Sequence, residues 1–163
     1  MQNIHPTAVI NDNVIIEEGV YIGPYCIIGF PPEWKGREDD NKGVIIRKGT
    51  RITGLVTIDS GAERTTVIGE NCYIMKHAYI AHDCLIGDNV TISAGVKIAG
   101  YCTVHNGANL GMGVAVHQKV SVPSNVMIGM NGVVTKHSNL ISGQKYAGVP
   151  VKHIGSNGPK NNS

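Results

Sequence analysis

The feature that most constrains this chain is an aliphatic residue at every sixth position. The spacing runs in three stretches, separated by one loop and by one change of phase. The hexads begin at Ile4, Ile10, Ile16, Ile22 and Ile28, then at Ile46, Ile52 and Ile58, and then at Ile68, Ile74, Ile80, Ile86, Ile92, Ile98, Val104, Leu110, Val116, Val122, Ile128 and Val134. A period of six fits neither a helix nor the simple alternation of an ordinary strand.

A second restricted position lies four residues after most of these aliphatic residues, where Ala, Val, Cys or Thr recurs. The four cysteines, Cys26, Cys72, Cys84 and Cys102, all occupy this position, which favours a packing role for them. Gly, Asn and Asp in the segments between supply the special backbone angles that tight turns require. The pattern predicts a coil of short strands with both restricted positions facing inward.

The repeat resembles the hexapeptide-repeat, left-handed parallel β-helix. The handedness comes from this resemblance alone, since it breaks the usual right-handed crossover rule. In that family three hexads make one triangular coil of 18 residues, which implies an all-β fold of 6 to 7 coils. We expect one β-helix domain over residues 1–155 without a C-terminal helical domain, a loop extruded near 30–44, a short extrusion at 63–67 and a flexible polar tail at 156–163.

Composition excludes several functional classes. Lys and Arg number 14 against 12 for Asp and Glu, a formal charge of +2, which is too balanced for a dedicated nucleic-acid binder. The chain lacks the long apolar run of a transmembrane helix, and residues 1–10 lack a secretory pattern. Four cysteines without paired spacing favour a reducing, cytoplasmic location.

His82 is the strongest candidate for acid–base chemistry. It lies between two inward positions, Ile80 and Cys84, so it and Asp83 are expected at an edge of the coil. An imidazole can accept a proton near neutral pH, and an adjacent carboxylate can fix its tautomer. Gly100 follows one coil later, where its N–H could face a developing oxyanion. From spacing alone, a solvated turn histidine is an equal alternative.

Four segments carry a more specific resemblance: 76–89 (KHAYIAHDCLIGDN), 98–104 (IAGYCTV), 115–122 (AVHQKVSV) and 125–134 (NVMIGMNGVV). They resemble the acyl-carrier-protein-dependent UDP-N-acetylglucosamine acyltransferases of lipid A synthesis, and the related acetyl-CoA-dependent N-acetyltransferases of nucleotide sugars. The resemblance is close over residues 68–140 and generic before them.

The resemblance implies that His82 is the general base, that Asp83 orients it, and that the N–H of Gly100 stabilises the oxyanion. It also implies that His117 and Gln118 line the site. The other residues that we place in contact with substrate are Glu33, Lys35, Lys76, His77, Tyr79 and Tyr101, and those assigned to the phosphates of the donor are Lys136, Lys145 and Lys152.

The chain departs from the lipid A enzymes at two of these positions. Tyr79 stands where they have a histidine three residues before the base, and Tyr101 stands where they have a histidine after the oxyanion glycine. The segment 146–152 resembles the ending of CoA-dependent sugar acetyltransferases. We therefore predict an acyltransferase that moves an acyl group, with acetyl favoured, from a thioester to an amine or hydroxyl of a nucleotide-linked sugar in cell-surface glycan or lipopolysaccharide synthesis.

Acetyl-CoA is the expected donor and acyl carrier protein the alternative, with no metal, no nucleic acid and no membrane insertion. The family is trimeric as a rule, so a homotrimer with sites between neighbouring prisms is expected. Trp34 is expected to stack on a neighbouring subunit or on a nucleotide base.

Two other classes stay open. His77 and His82 have the spacing of the γ-class carbonic anhydrases, which bind zinc, although no third histidine lies two coils earlier. A non-catalytic β-helix scaffold is the other alternative.

Overall fold

A computed structural model describes residues 3–158, which form 22 β-strands and no helix. The strands are β1 (Asn3–Ile4), β2 (Val9–Ile10), β3 (Val14–Ile16), β4 (Tyr21–Ile22), β5 (Ile27–Phe30), β6 (Val44–Ile46), β7 (Arg51–Ile52), β8 (Thr57–Asp59), β9 (Thr66–Ile68), β10 (Tyr73–Ile74), β11 (Tyr79–Ile80), β12 (Leu85–Ile86), β13 (Thr91–Ile92), β14 (Lys97–Ile98), β15 (Thr103–Val104), β16 (Asn109–Leu110), β17 (Ala115–Val116), β18 (Ser121–Val122), β19 (Met127–Ile128), β20 (Val133–Val134), β21 (Gln144–Ala147) and β22 (Lys152–Ser156).

Every third strand stacks on the one before it, so the strands form the three faces of a prism. The first face holds β1, β4, β7, β10, β13, β16, β19, β21 and β22; the second holds β2, β5, β8, β11, β14, β17 and β20; the third holds β3, β6, β9, β12, β15 and β18. All pairs are parallel except that of β21 with β22. The register is one coil of 18 residues, as where Ile74 faces Ile92.

This is the parallel β-helix that the repeat predicted, in the left-handed form that the family resemblance implied. Strands β1 to β20 each contain the aliphatic residue of one hexad. Counted with β21, the first face has eight parallel strands, so the solenoid makes about 8 turns rather than the expected 6 to 7. The difference arises because β21 continues the stack without belonging to the repeat.

The core is a single column of inward side chains along the axis. Isoleucines dominate it, and Ile22, Ile58, Ile80 and Ile98 are each 0% exposed. Burying such a side chain contributes roughly 1.5–3 kcal/mol, which explains why so short a strand can hold its place. The four cysteines are free thiols and are all buried, so the predicted packing role of the cysteines is confirmed.

Two features interrupt the prism, and both lie between the second and third faces. Residues 31–43 leave after β5 and return at β6. A shorter extrusion separates β8 from β9.

At the other end, β22 reaches Ser156 and the N–H of Asn157 bonds Gly143. Residues 159–163 of the expected tail lie outside the described residues. Within residues 3–158 the chain contains no helix long and apolar enough to span a membrane.

Candidate active site

The candidate site lies on the corner between the second and third faces, which we call the site corner. Its stacked turns are residues 81–84, 99–102, 117–120 and 135–138. Asp83, Tyr101 and Lys119 occupy the same position in three of them, with φ values of 59°, 63° and 60°. The same left-handed turn position recurs on another corner, as at Leu55 and His77, so it belongs to the turn geometry of the repeat.

His82 and Gly100 are in direct contact on this corner. A Cβ atom built on Gly100 would lie 2.6 Å from both Cε1 and Nε2 of His82, so only glycine leaves room for the imidazole. Tyr101 N–H donates to the His82 carbonyl at 3.1 Å, which fixes the two turns against each other. Among the backbone hydrogen bonds of the described residues, the N–H of Gly100 donates none. Gly100 therefore keeps an unpaired N–H on the turn that contacts the imidazole.

Asp83 orients the imidazole from the other side. Its Oδ2 lies 2.7 Å from Nδ1 of His82. Because a carboxylate only accepts, Nδ1 is the donor in this contact, and a neutral ring in that tautomer would have its lone pair on Nε2, which faces Gly100. The side chain of Asp83 is fully buried. The pair is thus arranged as a base and its orienting group.

The short extrusion after β8 provides the surroundings of Asp83. The backbone N–H groups of Ala62, Glu63 and Arg64 donate to its carboxylate at 3.1, 2.8 and 2.6 Å. Burial raises the pKa of Asp83, but these N–H groups and the His82 ring outweigh it, so its pKa lies below the usual value. Thr66 completes the arrangement, since its Oγ1 accepts the N–H of Asp83 at 3.0 Å. Sequence reasoning recorded the extrusion but missed its function as a carboxylate cradle.

The longer loop, 31–43, folds back over the base. Trp34 stacks on His82 with a centroid distance of 5.3 Å and an interplanar angle of 28°. Tyr101 meets the same imidazole edge-on at 5.2 Å. This contact within the chain was not predicted from the sequence, and the expected stacking of Trp34 on a neighbouring subunit or a nucleotide base stays a prediction. The loop is tied to the shorter extrusion by a bond from Lys42 N–H to the Gly61 carbonyl and by an ion pair between Arg37 and Glu63.

A buried acidic side chain that the sequence did not indicate lies beside this group. Asp59, the last residue of β8, is 4% exposed and accepts a hydrogen bond from the Tyr79 hydroxyl at 2.5 Å. No motif marks Asp59, because it occupies the first position after an inward isoleucine, where the repeat imposes no residue type.

The other predicted residues lie at different distances from the base. Glu33 and Lys35 flank Trp34 in the loop. His117 and Gln118 are exposed on the site corner two coils beyond the base, and Lys136 is one coil further. Lys119, which the sequence reasoning missed, lies on the same corner with its Nζ 5.4 Å from the Tyr101 ring centroid.

The remaining four predicted residues lie elsewhere. Lys76 and His77 occupy the corner at the opposite edge of the second face, so one chain does not bring them to His82. Lys145 and Lys152 lie in β21 and β22.

Two cavities continue the site corner toward the C-terminal end. One of about 430 Å³ is lined by Lys119, Thr135 and Lys136. The other, of about 670 Å³, shares Thr135 and includes Lys152. Two of the three predicted donor lysines, Lys136 and Lys152, therefore border open space on this side.

Within residues 3–158 no cluster of three or more His, Cys, Asp or Glu side chains could hold a metal ion. His77 and His82, the pair considered for zinc, point from different corners of the prism.

Comparison with known proteins also indicates a hexapeptide repeat. A family model described as bacterial transferase hexapeptide, six repeats, matches residues 65–100. The fold class, a left-handed parallel β-helix, agrees with that match.

Within that class the chain resembles the UDP-N-acetylglucosamine O-acyltransferases, as the motifs indicated. The acyl-[acyl-carrier-protein]–UDP-N-acetylglucosamine O-acyltransferase of Campylobacter lari is 32% identical, over 52% of this chain and 48% of that protein.

Solved structures give the same fold over almost the whole chain. UDP-N-acetylglucosamine acyltransferase from Bacteroides fragilis superposes with a TM-score of 0.77 at 25% identity, covering 96% of this chain and 73% of that one. The enzyme from Campylobacter jejuni gives 0.79 at 24% identity, covering 95% and 75%. The chain spans about half the length of the curated relatives that it matches.

Proposed function

We propose that this chain is an acyltransferase that moves an acyl group from a thioester donor to an amine or hydroxyl of a nucleotide-linked sugar. One observation carries the proposal: Nε2 of His82, oriented through Asp83, lies against Gly100, whose N–H has no partner among the described residues. A base and an oxyanion donor side by side are what attack on a carbonyl carbon requires.

The reaction is a direct transfer. Nε2 of His82 removes a proton from the acceptor as it attacks the thioester carbonyl, and Asp83 stabilises the imidazolium that forms. The N–H of Gly100 donates to the oxygen of the tetrahedral intermediate. When the carbon–sulfur bond breaks, the imidazolium returns the proton to the sulfur. No covalent enzyme intermediate is needed.

The site corner supports a path for the donor. Lys119 and Lys136 lie on it between the base and the C-terminal cavities, where they could meet phosphates. Lys145 and Lys152 would serve the same purpose from the terminal hairpin. The names of the curated relatives point to acyl carrier protein as donor, whereas the expected acetyl-CoA has no support among them. Both are thioesters, and a donor panel separates them.

We further propose a homotrimer in the cytoplasm. Lys76 and His77 are exposed on the corner away from His82. In a closed ring, that corner of one copy would face the site corner of the next, which would bring these two side chains to the base. Sedimentation should give three times the chain mass of 17.3 kDa, and a monomer would exclude this arrangement of the site.

The test is thiol release from acetyl-CoA and from acyl carrier protein carrying short and long acyl chains, with a panel of nucleotide amino- and acetamido-sugars. We expect release that depends on one sugar and falls about 10²-fold or more in His82→Ala. His105→Ala is the matched control, because His105 is a turn histidine on another corner. Absence of release with every donor and sugar, or full activity of His82→Ala, would refute the proposal. Stoichiometric zinc in the purified protein would instead favour the carbonic anhydrase class.

A further inference from the structure

The hydrogen-bonded pair of Asp59 and Tyr79 lies next to the proposed base. Ile58 pairs with Ile80 across β8 and β11, which places Asp59 one coil before Ala81 and beside the turn that holds His82. Tyr79 is half-buried on the second face and donates its hydroxyl to Oδ2 of Asp59 at 2.5 Å. The phenol therefore links the open face to a carboxyl group that is 4% exposed.

Neither Asp59 nor Glu33 forms an ion pair with a basic side chain of the described residues. The titratable groups that act on Asp59 are Tyr79 from β11, Glu33 from the loop and His82 from the turn. Burying a carboxylate without a cation is costly, so a positive charge brought by a ligand would be favoured.

The pKa values of Asp59 and Tyr79 suit them to accept a proton together. Burial raises the pKa of the Asp59 carboxyl, although the Tyr79 hydroxyl and the Glu33 N–H act in the opposite direction. Burial and the neighbouring carboxyl also raise the pKa of Tyr79, so its phenol stays protonated. Such a phenol can take a proton on its oxygen only as it passes its own proton to Asp59.

The two possible acceptors differ in the number of protons that must leave. A hydroxyl group loses one proton, for which His82 suffices. A sugar amine bound as its ammonium ion must first lose one proton to become nucleophilic, and then a second after it attacks. An ammonium acceptor therefore requires a second proton acceptor, and the pair of Tyr79 and Asp59 supplies one.

Resting on the proposed function, we infer that the acceptor is an amino sugar, that the transfer is N-acylation, and that Tyr79 and Asp59 together take the first proton of the ammonium ion. Tyr79 Oη accepts that proton while its own moves to Oδ2 of Asp59. The neutral amine attacks the thioester carbon, and the carbon–sulfur bond then breaks. His82 carries the second proton from nitrogen to the leaving sulfur, and Asp59 later releases the first to solvent. Tyr79 is the catalytic residue of the pair, and Asp59 is a positioning residue that acts through it.

The test compares two nucleotide sugars that differ only in an amino or hydroxyl group at the acceptor position. The wild-type kcat/KM should favour the amine by about 10²-fold or more. Tyr79→Phe and Asp59→Asn should lower kcat/KM for the amine by a similar factor at neutral pH. The loss should shrink as the pH rises through the pKa of the sugar amine, because the acceptor then binds already neutral. Tyr73→Phe and Asp12→Asn, which change an exposed phenol and an exposed carboxyl elsewhere, should leave both rates unchanged.

The outcomes separate this inference from the proposed function. Wild-type activity that prefers the hydroxyl sugar would overturn the inference and leave the acyltransferase intact. Variants that lose the amine reaction equally at every pH would reduce Asp59 and Tyr79 to structural residues, which also overturns it. Absence of thiol release with every sugar and donor would refute both the inference and the proposed function. The wild-type preference needs no variant, so it decides between an amine and a hydroxyl acceptor even if a substitution disturbs folding, while the pH dependence of the variants decides the role of Tyr79 and Asp59.

Discussion

Substituting alanine for Gly100 should disable the base while leaving the fold intact. The added Cβ would lie 2.6 Å from Nε2 and Cε1 of His82, about 1 Å closer than the roughly 3.5 Å of ordinary contact. The turns on either side are fixed by backbone hydrogen bonds, so the imidazole is the group that must move. Moving it stretches or breaks its 2.7 Å contact with Asp83.

The size of the effect follows from that displacement. Misplacing a catalytic group by about 1 Å costs on the order of 10² in rate, or about 2.7 kcal/mol in activation free energy. We therefore expect kcat to fall by about 10²-fold or more. Gly100 does not have left-handed backbone, so alanine brings no backbone strain, and the free energy of unfolding should change by only about 1 kcal/mol.

Thiol release with the sugar that the acceptor panel selects measures the rate, and urea denaturation measures stability. The matched control is Gly129→Ala, a turn glycine on another corner whose added Cβ would come no closer than 3.2 Å to a neighbouring atom. The control should retain activity. Undiminished kcat in Gly100→Ala would show that the imidazole is not held where catalysis requires it, and would remove the central observation behind the proposed function.

Two further predictions concern the groups around the base. The pKa of Asp83 is lowered in the folded protein, so its ionised carboxylate stabilises the fold at pH values above its unfolded pKa, near 3.9. This contribution is lost as the pH falls through the folded-state pKa, which gives an acid limb in a plot of unfolding free energy against pH. Asp83→Asn should flatten that limb in urea denaturation and should cost about 1–3 kcal/mol at neutral pH. An unchanged acid limb would contradict the cradle described for Asp83. Trp34 is the only tryptophan and it stacks on His82, so His82→Ala should change its fluorescence emission, whereas the control His105→Ala should leave the emission unchanged. Identical emission from the wild type and His82→Ala would show that Trp34 does not stack on this residue in solution.

The β-helix could be predicted from the sequence because every coil buries the same types of residue at the same two positions. An isoleucine such as Ile80 or Ile98 must face the axis, and a small residue such as Cys84 must fill the narrow corner, so the period alone places every strand from β1 to β20. The stacking of Gly100 on His82 follows from the same 18-residue register.

The surroundings of the site could not be predicted in this way, because they depend on chain segments that leave the repeat. The period says where residues 31–43 depart and return, but not that Trp34 folds back onto His82. The three N–H donors to Asp83 come from another such segment. Asp59 was missed for a related reason, since its burial results from the loop rather than from its place in the hexad.

The position of His82 along the prism has a consequence for local unfolding. A solenoid is held together by contacts between neighbouring coils, so it frays from its two ends inward. The turn that carries His82 joins β11 to β12, with three coils of the repeat before its own and two complete ones and part of a third after it. Amide exchange in that turn should thus approach the slowest in the molecule, which means that thermal opening of the ends leaves the base and its glycine in register.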